Sequence, residues 1–147
     1  MGEVKPWHER DPGALPRLEH LVTATYPTLH VVVADGVVHL LGTFPVRHGV
    51  VEIDRFAIDV VLSSDHPRDL PAIYETGGRI PRTADRHMNG DGSACVVLPD
   101  AYWLENETGQ VDVVHLLARE VHNYFLGQAA VEAGDPWPFG EWPHFSK

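Results

Sequence analysis

The chain has 147 residues, enough for one domain with a proper core, and is 44% hydrophobic and 22% charged, which excludes a disordered chain. A formal net charge of −10 argues against a nucleic-acid partner, which would require clustered Lys and Arg. A single cysteine, Cys95, excludes an internal disulfide framework, and no run approaches about 18 apolar residues, so the expectation is a cytoplasmic protein that does not enter a membrane.

Residues 1–13 are polar and proline-bearing, read as a flexible lead-in without the apolar run of a signal peptide. In "ALPRLEHLVTATYP" Leu15, Leu18, Val22 and Tyr26 recur at helical spacing, Pro16 falls in the first turn and Pro27 ends the element. "TLHVVVADGVVHLLGTFPV" holds two β-branched runs around Asp35-Gly36, a hairpin signal. In "GVVEIDRFAIDVVLSSDHP" Phe56, Ile58, Val60 and Leu62 alternate with less apolar residues, as a strand with one buried face requires. "PAIYETGG" reads as a shorter fourth strand. The connections are too brief for crossover helices, so the four strands form an antiparallel meander.

From Gly77 to Leu98 the pattern dissolves into Gly, Pro, Arg, Asp and Asn; a loop this long in a compact domain is usually functional. A final helix is read in "GQVDVVHLLAREVHNYFLGQAAVEAG", with Val111, Val114, Ala118, Val121 and Phe125 as its apolar stripe. Residues 14–134 are thus the expected α+β domain, and the Pro- and aromatic-rich residues 135–147 a strap packed back onto it. Only Lys5 and Lys147 are lysines, against nine arginines. A GC-rich genome is the ordinary cause, although a protein handling an amine-reactive acyl group also does well to carry few amines.

The order of these elements, with a cysteine at the end of a glycine-rich loop, resembles the ubiquitin-conjugating (E2) fold. "DHPRDLPAIYE", with Pro67 and Pro71, is similar to the family's proline element. His87-Met88-Asn89 is similar to its His-Pro-Asn tripeptide, Cys95 in "DGSAC" to its catalytic cysteine, and Trp103, eight residues on, to its downstream tryptophan. Met88 stands where the family has proline, the Asn-to-Cys segment is shorter, and one helix follows Trp103. These departures are similar to those of bacterial E2-like proteins encoded beside E1-like and deubiquitinase-like genes, often in anti-phage islands.

The resemblance implies a transferase that takes the C-terminal carboxyl of a ubiquitin-like protein from an E1-like activating enzyme as a thioester on Cys95 and passes it to an amine. A deubiquitinase-like partner from the same operon is also implied, and no cofactor. Sulfur suits the task, because a thiolate is a good nucleophile and a thioester acylates amines. Asn89 then either donates to the oxyanion of the tetrahedral intermediate or braces the loop through Asx-type bonds. His87 pins the loop; were it to touch the thiol, a Cys-His hydrolase would be conceivable. Asp91 and Asp100 either orient an incoming amine or are turn residues, and Trp103 either meets substrate or packs beneath the loop. The plain alternative for Cys95 is a buried, inert thiol, and with it a non-catalytic E2-fold scaffold. His115 and His122, seven apart with Arg119 between them, and His144 are expected to be partly buried and hydrogen-bonded; no metal site is expected.

Overall fold

Asp35 and Gly36 both take positive φ, 51° and 77°. That is the backbone a two-residue hairpin turn needs to match the twist of its strands, and it joins β1 (Leu29–Ala34) to β2 (Val37–His48). The computed structural model describes residues 5–139. β3 (Val51–Leu62) pairs with β2 from Val38↔Leu62 to His48↔Val51, with a bulge between Val46 and Arg47. β4 (Ala72–Glu75) then pairs with β3. All pairings are antiparallel in the order β1-β2-β3-β4, the meander expected from the short connections.

The alternation in β3 decides which face is buried. Phe56, Ile58, Val60 and Leu62 are all at most 1% exposed, and Val38, Leu40, Phe44 and Ile73 from the neighbouring strands join them. Helices cover this face. α2 (Ala14–Thr25) contributes Val22, and Tyr26 beyond it stacks at 5.3 Å on Phe44. A long C-terminal helix contributes Phe125, whose ring lies 4.8 Å from Phe56 and 5.9 Å from Phe44. Aromatic contacts of this kind add to simple area burial, so this cluster is the keystone of the core.

That C-terminal helix comprises α4 (Val113–Leu116), a π-helical turn (Leu117–Val121) and α5 (His122–Glu132); the short α3 (Pro99–Glu105) precedes it. Its buried stripe is Val113, Leu116, Leu117, Val121, Tyr124 and Phe125. Val114 and Ala118, expected on that stripe, are half-buried and exposed. The stretch from Val111 to Leu117 is apolar enough to support either register. Asp112 decides between them: its carboxylate accepts from the His115 backbone N–H at 3.1 Å and starts the helix at Val113. Val111 instead donates its N–H to the Pro67 carbonyl at 2.7 Å.

The ends differ from expectation in one respect. The segment read as a flexible lead-in contains a helical turn, α1 (Trp7–Arg10). Trp7 is 7% exposed, with its ring 4.8 Å from His66. An indole is too large an apolar body to leave in water once a pocket is offered. At the other end Trp137 is half-buried against the domain. Residues 140–147 of the expected strap, His144 among them, lie outside the described residues. No helix among the described residues is long and apolar enough to cross a membrane.

Candidate active site

The loop carrying Cys95 is sewn to its surroundings at both ends. At its start the Glu75 carboxylate accepts from the backbone N–H groups of Gly77, Arg79 and Ile80, the last two at 2.8 and 3.0 Å. Arg79 then reaches back, donating to both Asp54 carboxylate oxygens (3.1 and 2.9 Å), to Glu132 on α5 (2.7 Å) and to the Arg55 carbonyl (2.9 Å). Its guanidinium also lies 3.9 Å over the Phe56 ring. One side chain thus ties the loop to the sheet and to the last helix, and Arg79 holds the Asp54 carboxyl below the usual carboxylate range.

A 3₁₀ turn, Ala84–Arg86, leads to His87, which sits in the left-handed region at φ 58°. The carbonyl of Arg86 accepts from Gln128 Nε2 at 2.6 Å and from the Tyr124 hydroxyl at 3.2 Å, while Arg86 Nε donates to Gln128 Oε1 at 2.8 Å. Gln128 is wholly buried on the apolar side of α5. A buried amide is tolerated only when it is satisfied, and this one clamps the backbone next to His87.

Beyond His87 the chain makes a small hairpin. Met88 and Ala94 form a β-bridge, Asn89 N–H donates to the Ser93 carbonyl (2.8 Å), and Gly92 N–H donates to the Asn89 carbonyl (3.0 Å). Gly92 has φ 88°, a backbone conformation that side chains with a Cβ rarely adopt, so the turn calls for glycine there. Ala94 N–H donates to the Ile73 carbonyl on β4 (2.7 Å) and Cys95 N–H to the His87 carbonyl (2.8 Å).

Cys95 is 9% exposed, and burial alone pushes its thiol above the usual cysteine range. It lines a cavity of about 480 Å³ between the segment entering β4, the loop and the last helix, together with Leu70, Pro71, Met88, Asn89 and Leu116. Two of the expected site residues, Cys95 and Asn89, therefore share one cavity. Asn89 is exposed, and its amide donates to Ser93 Oγ at 3.0 Å. Asp91 is also exposed and folds back, its Oδ1 accepting from Ser93 N–H (2.9 Å) and Oγ–H (2.6 Å), an Asx-type closure that holds its carboxyl below the usual range.

The other expected residues stand elsewhere. His87 is wholly buried, its ring 4.2 Å from Trp137. Asp100 is exposed in the first turn of α3, where a negative charge suits the helix dipole. Trp103 is half-buried, edge-on to Tyr102 at 5.1 Å. His122 is half-buried and its Nε2 accepts from the Arg47 N–H at 2.9 Å, at the β2 bulge. His115, expected to be partly buried, is exposed, because the helix starts two residues later than the apolar run. Tyr124, Gln128 and Arg79 escaped the sequence reading, although a glutamine among the apolar positions of α5 was a usable sign.

No family model matches the chain, and neither do any curated proteins or solved structures.

Proposed function

We propose that the chain is an E2-like acyl carrier. Cys95 takes the C-terminal carboxyl of a ubiquitin-like protein from an E1-like enzyme as a thioester and gives it to an amine. The observation that supports this reading is the position of Cys95. It ends a glycine-bearing loop laid on the edge of the meander, and it lines a cavity instead of standing within the aromatic core. In loading, the Cys95 thiolate attacks the thioester carbonyl on the activating enzyme; a new C–S bond forms and the donor thiolate leaves. In discharge an amine nitrogen attacks the same carbonyl and Cys95 sulfur leaves.

A second reading, a non-catalytic scaffold of the same architecture, draws on a specific observation: the thiol is 9% exposed and burial keeps it protonated. One measurement separates them. Incubation with the E1-like enzyme, modifier and ATP gives a thiol-reducible adduct under the first reading, and Cys95→Ser abolishes it. Under the scaffold reading no adduct forms. The hydrolase alternative has less behind it. His87 meets Cys95 through a backbone hydrogen bond, and its ring packs on Trp137.

A further inference from the structure

The chain turns back on itself at the end of α5. Gly134 takes φ 92°, and Asp135 donates its N–H to the Ala130 carbonyl at 2.9 Å. The segment that follows lays Trp137 over α5 at Gly127, where an added Cβ would meet the indole ring. From that seat the indole packs against two groups that hold the Cys95 loop. The His87 ring lies 4.2 Å away, tilted by 33°, and the Tyr124 ring lies 6.1 Å away, edge-on. His87 is wholly buried and sits at φ 58°, a conformation that a residue with a Cβ keeps only while its surroundings enforce it. Its carbonyl accepts the Cys95 N–H at 2.8 Å, and the Tyr124 hydroxyl donates to the Arg86 carbonyl at 3.2 Å. On the same side a cavity of about 280 Å³ is walled by Val96, Val97, Tyr124, Trp137 and Phe139 among others. The loop therefore has space to move into once the indole shifts.

We propose that Trp137 is a positioning residue for Cys95, a wedge that holds the loop in the form where the thiol is buried. It acts through the His87 backbone. With the indole seated, His87 stays in the left-handed region and its carbonyl keeps the Cys95 backbone in place. With the indole lifted, His87 relaxes, its bond to the Cys95 N–H opens and water reaches the sulfur. Burial holds the thiol above the usual cysteine range, so a wetted sulfur yields more thiolate at neutral pH and reacts faster. As a control on acyl transfer the wedge rests on the acyl-carrier reading, with the incoming donor as the agent that lifts it; as a control on the thiol it needs packing alone.

Iodoacetamide, followed by intact mass, reads the thiol in the full chain. The native chain is expected to react far more slowly than the chain unfolded in urea. Trp137→Ala removes the wedge, and Gly127→Ala displaces it with the indole still present. Each should react about tenfold faster than the native chain, the size of one lost aromatic contact. Trp137→Phe keeps a flat ring against His87 and should stay within about threefold of the native rate. The midpoint of the rate against pH should fall in Trp137→Ala toward that of the unfolded chain. Below the urea transition these rates should not depend on urea, as local opening requires. Three results would overturn the proposal: a native chain as fast as the unfolded one, native rates in both alanine variants, or rates that climb with urea in step with unfolding. The first means that the sulfur is already open, the second that the loop is held without the indole, the third that the indole supports the fold as a whole. No E1-like enzyme or modifier enters the measurement, so its failure and the failure of the acyl-carrier reading are separate results.

Discussion

His66 should make the fold acid-sensitive in a way that one substitution removes. Its side chain is buried with the ring against Trp7, and Nδ1 has no hydrogen-bond partner among the described residues. Burial lowers its pKa from 6.5 to about 4. The folded chain therefore favours the neutral ring, while the unfolded chain protonates near 6.5. The stabilisation is fully present above pH 6.5, falls as pH drops through the interval, and is gone below about 4. At 1.36 kcal/mol per tenfold change in proton affinity, the whole interval is worth about 3 kcal/mol, and about 2 kcal/mol is lost by pH 5. The assay is urea unfolding at several pH values between 7.5 and 4.5, followed by tryptophan emission and compared between the native chain and His66→Phe. Phenylalanine keeps a flat ring beside Trp7 and does not titrate. His122, whose pKa burial and Arg47 also depress, contributes to both proteins and cancels in the difference. The variant should lose about 2 kcal/mol less than the native chain between pH 7.5 and pH 5. Parallel pH profiles would refute the reasoning, since they would mean that the ring is hydrated in the folded state.

Gln128→Leu removes the amide that clamps the Arg86 carbonyl and strands that arginine's Nε, so a loss of about 2–4 kcal/mol in unfolding free energy is expected by urea titration. Arg79→Met drops four donated bonds and the guanidinium's contact with the Phe56 ring; its groups are about one-third exposed, so the loss should be nearer 1–2 kcal/mol, with hydrogen exchange speeding selectively over residues 77–98. Gly127→Ala places a methyl group against the Trp137 ring and must push it aside; the helix gains about 1 kcal/mol in propensity, and urea titration should show less than that gain. Asn89→Ala should slow loading and discharge of the thioester alike, because the amide is engaged with Ser93; a loss of about 100-fold confined to discharge would mark an oxyanion donor instead.

The sheet was legible because its signals are local. Asp35-Gly36 needs positive φ at both positions, and the alternation from Phe56 to Leu62 requires nothing beyond the pleat. The last helix was legible in kind but not in register, since its N-cap bond and the anchoring of Val111 on Pro67 are made across space. α3 was missed because seven residues opening on proline carry too little periodicity to register. At the site, the sequence pointed to the loop and to its cysteine but not to what fixes it. Arg79 meets Glu132 across 53 positions and Gln128 meets Arg86 across 42. No window of local pattern contains both members of either pair.

The same stitching bears on how Cys95 would work under the proposed carrier reading. Its backbone is held by His87, its neighbour Ala94 by Ile73, and the turn above it by Asn89, Asp91 and Ser93. A loop so fixed keeps the thiol in one place, which acyl transfer needs, but burial also withholds the thiolate that attack requires. The two demands are compatible only if the donor itself changes the surroundings of the sulfur. A protein tail entering the 480 Å³ cavity would bring peptide N–H groups to a developing thiolate and so lower the thiol pKa where the reaction begins. As the proposed carrier, the resting chain would discriminate against small soluble electrophiles while remaining open to a cognate thioester. A native chain alkylated by iodoacetamide as fast as an unfolded one would remove the need for any such step.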